Sequence, residues 1–187
     1  MLASGEGRTL QALLDAAVGD YPARVVAVGS DRPGARALQR AGGLPVFVVP
    51  LEGDRAAWDV ALADAVDAHA PDLVVCAGFM RILGPSFLQR FRVTNTHPSL
   101  LPAFPGADAV PAALAYGVKV TGVTVHLVDE GVDTGPVVAQ AAVPVLPGDT
   151  VQSLHARVQD VEQPLYVDTV ARLSRGGWTV QGRTVVL

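Results

Sequence analysis

The sequence is poor in residues that build cross-links and metal centres. Its 187 residues include a single cysteine, Cys76, which excludes a disulfide framework and a zinc ribbon. Among the 14 lysines and arginines Lys119 alone is a lysine, and it stands in no Gly-Lys-Ser/Thr loop, so a P-loop is excluded. Apolar runs such as Leu73 to Met80 are too short to cross a bilayer, and no basic segment followed by an apolar one opens the chain. With 14 cations against 18 acids the formal charge is −4, so no basic face for nucleic acid is expected. What the chain does have is 50% apolar residues and only 17% charged ones. That composition supplies a sizeable core and excludes disorder. A soluble intracellular enzyme or binding domain is expected, as one domain over residues 1–187.

The first half alternates strand and helix patterns. Leu10, Leu13, Leu14 and Val18 recur at helical spacing after a glycine-rich turn. Arg24 to Ser30 reads as a strand, Gly34 to Ala41 as a short helix and Pro45 to Val49 as a second strand. Asp54 to Ala70 carries Trp58, Leu62 and Val66 on one helical stripe. Leu73 to Ala77 is apolar on every side, as in a strand buried on both faces of a parallel sheet. A helix at Pro85 to Phe91 and a strand at Arg92 to Asn95 follow. This alternation predicts a doubly wound α/β fold: a mostly parallel sheet with helices on both faces. Only Met1, Leu2 and Ala3 precede Ser4-Gly5-Glu6-Gly7, so the first strand is expected to be cut short against the usual ~5–6 residues. In the second half, a helix is expected near Ala109 to Tyr116, and strands at Lys119 to Val128 and Pro136 to Val145. Thr150 to Leu173 reads as a long helix with Leu154, Val158, Val161, Leu165 and Val170 on its stripe, and Gln181-Gly182 as the turn of a terminal hairpin.

Three segments hold candidate chemistry. The loop Ser4 to Leu10 is either an anion cradle at a helix start or a plain strand-to-helix turn. It lacks the third glycine of a dinucleotide fingerprint, and no acidic residue is expected to close a second strand. In Asn95-Thr96-His97-Pro98-Ser99-Leu100-Leu101-Pro102, Asn95 and His97 alternate, which puts an amide donor beside a titratable imidazole at a strand end. The amide is suited to an oxyanion and the imidazole to proton transfer, whereas a histidine before a proline is also a common structural residue. Asp129, Glu130 and Asp133 with Gly131 and Gly135 form either a solvated turn or a loop that brings one carboxylate to a catalytic histidine. The EF-hand spacing for calcium is absent. His69 and His155 read as surface or capping residues, and His126 as facing either a pocket or the polar side of its strand. No pair of histidines has metal-ligand spacing. Cys76 reads as inert core.

These motifs, in this order, resemble the glycinamide ribonucleotide formyltransferases, folate-dependent enzymes of purine (IMP) biosynthesis. The likeness runs through Ser4-Gly5-Glu6-Gly7, Ala77-Gly78-Phe79-Met80-Arg81-Ile82-Leu83, Asn95 to Pro102, and Gly122 to His126 on to Asp133-Thr134-Gly135-Pro136. It implies a formyltransferase, Rossmann-like domain that transfers the formyl group of 10-formyltetrahydrofolate directly to the amine of glycinamide ribonucleotide. It also implies that Asn95 binds the formyl oxygen, that His97 is the general acid/base and that Asp133 holds His97 protonated. Gly7, Arg8, Thr9 and Leu10 would cradle the ribonucleotide phosphate, with Glu162 near the substrate amine. Arg55, Met80, Arg81, Ile82 and Leu83, with Asn95, would hold the folate. The family usually places Ser-Asn or Thr-Asn where Arg8-Thr9 stands, and some members have a histidine where Val110 lies. A cytoplasmic enzyme without metal, nucleic-acid or membrane partner follows from the resemblance, which allows a homodimer.

Two relatives of that family compete. A methionyl-tRNA formyltransferase is expected to add an RNA-binding domain and positive charge, and a formyltetrahydrofolate deformylase a domain before the glycine loop. A catalytically silent folate- or nucleotide-binding domain is the rival from another class, and the presence of Asn95, His97 and Asp133 argues against it.

Overall fold

The structure is a computed structural model that describes residues 1–187. Two compact units divide the chain, Met1–Asn95 and Thr96–Leu187.

In Met1–Asn95 every strand pairing is parallel. The elements are α1 (Arg8–Ala16), β1 (Val28–Ser30), α2 (Arg36–Arg40), β2 (Val46–Val48), α3 (Arg55–Asp67), β3 (Val74–Cys76), α4 (Pro85–Leu88) and β4 (Val93–His97). β1 lies beside β2 with Val28 opposite Val46, and β3 beside β4 with Cys76 opposite Asn95. Leu2 sits between the two pairs, bridging Gly29 on one side and Cys76 on the other, parallel to both. Its N–H donates to the Val75 carbonyl at 2.9 Å and its carbonyl accepts from Ala77 at 3.1 Å. The short opening segment therefore takes the central place in the sheet with its backbone groups paired.

Side-chain pattern explains the packing of this unit. Leu10 and Leu13 of α1 are buried, and Leu10 joins Ala3, Val28, Ala37 and Ala41 in one core. Val18 departs from the expected stripe: the helix ends at Ala16, and Val18 is 68% exposed. Trp58, Leu62 and Val66 of α3 are all buried, and Asp54 caps that helix by accepting from the Ala57 N–H at 2.7 Å. His69 lies past the end of α3 and stacks on Phe47, with ring centres 5.5 Å apart. A second departure concerns an acidic residue at a strand end, the opening segment at Leu2 counting as the first strand and β1 as the second. Asp31 does follow β1 directly, but its side chain is fully buried against Arg81, with Nε–Oδ2 at 2.7 Å.

Thr96–Leu187 holds α5 (Ala109–Tyr116), β5 (Val120–Leu127), β6 (Val137–Pro144), α6 (Val151–Ser174), β7 (Thr179–Gln181) and β8 (Thr184–Val186). β5 and β6 are antiparallel, with a register shift between Val125 and His126. β8 lies parallel to β6 and antiparallel to β7, so the Gln181-Gly182 hairpin forms as expected. Val110, Val123, Val143, Leu154 and Val158 make the core. Val110 is thus a packing residue, and no polar group enters from that position. α6 opens on a Thr150/Ser153 capping box, and Pro164 inside it leaves the Asp160 carbonyl without its usual donor. No helix is long and apolar enough to cross a membrane. The protein is of the α/β class, with a mostly parallel sheet.

Candidate active site

The Thr96–Leu187 unit contains a buried histidine–carboxylate pair. His97, at the end of β4, is 5% exposed. Its Nδ1 lies 3.2 Å from Oδ2 of Asp133, and its Nε2 lies 2.8 Å from the Phe104 carbonyl. Both partners only accept hydrogen bonds, so a ring that makes both contacts as hydrogen bonds carries a proton on each nitrogen. The proline-punctuated segment that supplies Phe104 is pinned from below by buried Thr124. That hydroxyl donates to the Ser99 carbonyl at 2.7 Å and accepts from the Leu101 N–H at 3.0 Å.

Asp133 is the hub of the pair. Its backbone has a positive φ of 55°, uncommon for a non-glycine residue although aspartate adopts it more readily than most. Oδ2 also accepts from the Gly106 N–H at 2.8 Å, while Oδ1 faces Nε2 of His126 at 3.5 Å. Burial by itself raises the carboxyl's pKa. The His126 hydrogen bond, the Gly106 N–H and the charges on His97 and His126 together outweigh it and hold Asp133 below the ordinary carboxylate range. Beside Asp133 a cavity of about 420 Å³ is walled by Leu101, Pro102, Pro105, Val132 and Val137.

His126 is the member of this group that the sequence left open. Gly122, Thr124 and His126 alternate with buried Val123 and Val125 along β5, and that polar face was the available signal. The register shift at Val125/His126 re-aims the ring toward Asp133. Its Nδ1 donates to the Leu127 carbonyl at 2.9 Å. The Phe104 carbonyl, a backbone group, has no side-chain signature at all.

The expected phosphate and folate residues lie in Met1–Asn95. Gly7 caps α1 at φ 68°, and a Cβ there would lie 2.7 Å from the Ala37 Cα, so glycine is required twice over. Arg8, Thr9 and Leu10 form the first turn of the helix. Arg40 of α2 donates to the Glu6 carbonyl at 2.7 Å. The segment Gly78 to Gly84 is held by four side chains, two of them from α3. Ser4 Oγ accepts from the Met80 N–H at 2.8 Å, and Asp31 pairs with Arg81. The Arg55 guanidinium donates to the Ile82 carbonyl, and buried Asp59 accepts from Gly84 and Phe87 at 2.7 and 2.9 Å. Leu83 is buried, while Met80 and Ile82 are 60% and 54% exposed. Such apolar side chains turned outward on a pinned loop suit a flat apolar ligand. Asn95 stands two residues before His97 on β4, and Glu162 lies midway along α6.

The comparisons with known proteins agree with one another. The formyl transferase family model matches residues 1–170. The phosphoribosylglycinamide formyltransferase of Mycobacterium tuberculosis is 61% identical over all of this chain and 89% of its own length. Its counterpart in Escherichia coli is 39% identical over 98% of this chain and 87% of that protein. The crystal structure of glycinamide ribonucleotide transformylase 1 from Symbiobacterium toebii superposes with a TM-score of 0.96 at 44% identity, covering 100% of this chain and 91% of that one.

Proposed function

The chain belongs to the formyl transferase family, and from that premise we propose that it transfers a formyl group from 10-formyltetrahydrofolate to the amine of glycinamide ribonucleotide. The relatives that share its full length carry this activity in their names. The observation that carries the reading is the buried His97–Asp133 pair at 3.2 Å, with Asn95 two residues earlier on the same strand.

The amine nitrogen attacks the formyl carbon, and a tetrahedral oxyanion forms as the carbonyl π bond opens. The Asn95 amide donates to that oxyanion. As the oxyanion collapses the bond between the formyl carbon and N10 breaks; protonated His97, steadied by Asp133, gives N10 its proton and recovers one from the attacking nitrogen. No covalent bond to the protein forms, and the scheme needs no metal ion. Gly7 to Leu10 hold the phosphate at the start of α1, where the helix dipole favours an anion. Glu162 meets the amine. Arg55 and Met80 to Leu83 hold the folate, with Met80 and Ile82 offering apolar surface. Holding two reactants in contact supplies ~7–11 kcal/mol of the barrier reduction.

Residues 1–187 act as one formyltransferase domain in the cytoplasm, a reading supported by a family model that runs unbroken across residues 95 and 96. A steady-state assay with both substrates tests the function. Formyl transfer by the wild type and its loss in His97→Ala are expected; equal turnover by the two proteins would reject it.

A further inference from the structure

Asp133 holds a positive φ without being glycine, and the residue after it is anchored on two sides. The next residue, Thr134, is tied at two atoms. Its hydroxyl donates to Asp129 Oδ1 at 2.6 Å, and the same oxygen accepts from the Gly131 N–H at 3.1 Å. Its carbonyl accepts from Arg183 Nη2 at 2.9 Å. Arg183 is in the turn of the β7–β8 hairpin, next to Thr184, which pairs with Val137 of β6. The hydroxyl has a reserved place: a Cβ on Gly131 would lie 2.0 Å from Thr134 Oγ1. This hairpin lies beyond the 1–170 span that matches the family model.

We propose that Thr134 is a positioning residue. Anchored through its hydroxyl by Asp129 and through its carbonyl by Arg183, it fixes the backbone that presents the Asp133 carboxylate to His97. The inference rests on the reading of His97 and Asp133 as the catalytic pair. Thr134 acts through Asp133. Releasing one hydrogen bond lets the loop relax toward ordinary φ values and moves the carboxylate away from Nδ1. Misplacement lowers the chemical step without weakening substrate binding.

Thr134→Val keeps the shape and removes the donor, and Thr134→Ser keeps the donor. Thr134→Val is expected to lower kcat about five- to tenfold, the equivalent of one hydrogen bond, with KM for the ribonucleotide unchanged. Thr134→Ser and Asp129→Asn, whose amide oxygen still accepts, are expected to stay within about twofold of wild type. Because Asp129→Ala and Thr134→Val break the same bond, the double variant is expected to be no slower than the slower single one. Equal loss in Val and Ser, a change in KM alone, or multiplicative losses in the double variant would overturn the proposal. The 15N signals of the His97 ring give an arm free of turnover: they are expected to move in Thr134→Val and not in Thr134→Ser. Unmoved signals in both variants overturn the positioning role even in an active enzyme. If instead His97→Ala turns over like wild type, the catalytic reading fails while the ring signals still decide the anchor.

Discussion

Asp133 Oδ2 lies 3.2 Å from Nδ1 of His97 although the two residues come from different kinds of chain: His97 ends a strand, and Asp133 sits in a turn at a positive φ of 55°. The pair is made by backbone as much as by side chains. The Phe104 carbonyl and the Gly106 N–H, both from the loop after β4, occupy the far side of the ring and the near side of the carboxylate. One short loop thereby fixes both partners.

Three substitutions separate chemistry from binding. Asn95→Ala and His97→Ala are each expected to lower turnover by ~10²–10³, the usual loss for one donor to a developing oxyanion or a proton-transfer group. Asp133→Asn is expected to slow turnover while ribonucleotide affinity stays near wild type, because the proposed phosphate cradle, Gly7 to Leu10, is a different loop. Turnover and equilibrium binding are measured side by side. Lost binding with unchanged turnover would reassign these residues to recognition.

Asp133 also predicts a pH dependence of stability. Its folded pKa is depressed below the unfolded ~3.9. The folded state therefore prefers the ionised form, and the contribution is complete above the unfolded value and lost as pH falls through the lower folded value. Urea unfolding of wild type and Asp133→Asn from pH 6 to pH 2.5 is expected to show a constant gap down to about pH 4, narrowing below it. A gap that widens in acid contradicts the sign.

How far these features could be read from the sequence varied with their physical origin. Periodic amphipathic elements were legible: Ala109–Tyr116 is the helix expected, and the long helix expected over Thr150 to Leu173 is Val151–Ser174. The strand expected from Arg24 forms a ladder only over Val28–Ser30, because β2 offers just Val46–Val48 to pair with. A β-branched run states a preference, but the partner sets the ladder's length. Asn95 and His97 were visible as an alternating pair. Asp133 came from family resemblance, since nothing local distinguishes it from Asp129 or Glu130. His126 stayed ambiguous because one polar residue in an alternating strand does not say what it faces.

The loop at Gly7, the proposed phosphate cradle, gives a prediction in stability and binding together. A Cβ at Gly7 meets the Ala37 Cα and Cβ at 2.7 and 2.8 Å, and its φ of 68° disfavours any side chain. Gly7→Ala is expected to cost about 1–3 kcal/mol. It also moves the first turn of α1 off α2, so phosphate affinity falls. Thermal unfolding and titration with inorganic phosphate test this. Unchanged values in both would show that the close approach is relieved without consequence.

The segment proposed to hold the folate is anchored by a carboxylate on α3. Asp59, 3% exposed on α3, accepts from the N–H groups of Gly84 and Phe87 and so starts α4 directly after Leu83. Replacing it with alanine leaves the part-buried Gly84 N–H without its partner, at about 1–3 kcal/mol, and leaves the Phe87 N–H only the Gly84 carbonyl at 3.1 Å. Asn is a partial substitute: its single carbonyl oxygen satisfies one donor well, and its NH₂ faces the other. Stability is therefore expected to fall in the order wild type, Asp59→Asn, Asp59→Ala. Because Gly84 anchors the end of the segment whose Ile82 carbonyl Arg55 grips, the damage extends to Met80 to Leu83. KM for the formyl-folate is expected to rise in the same order, with KM for the ribonucleotide little changed. A rise in both constants together would instead mean that Asp59 supports the whole unit and not this loop.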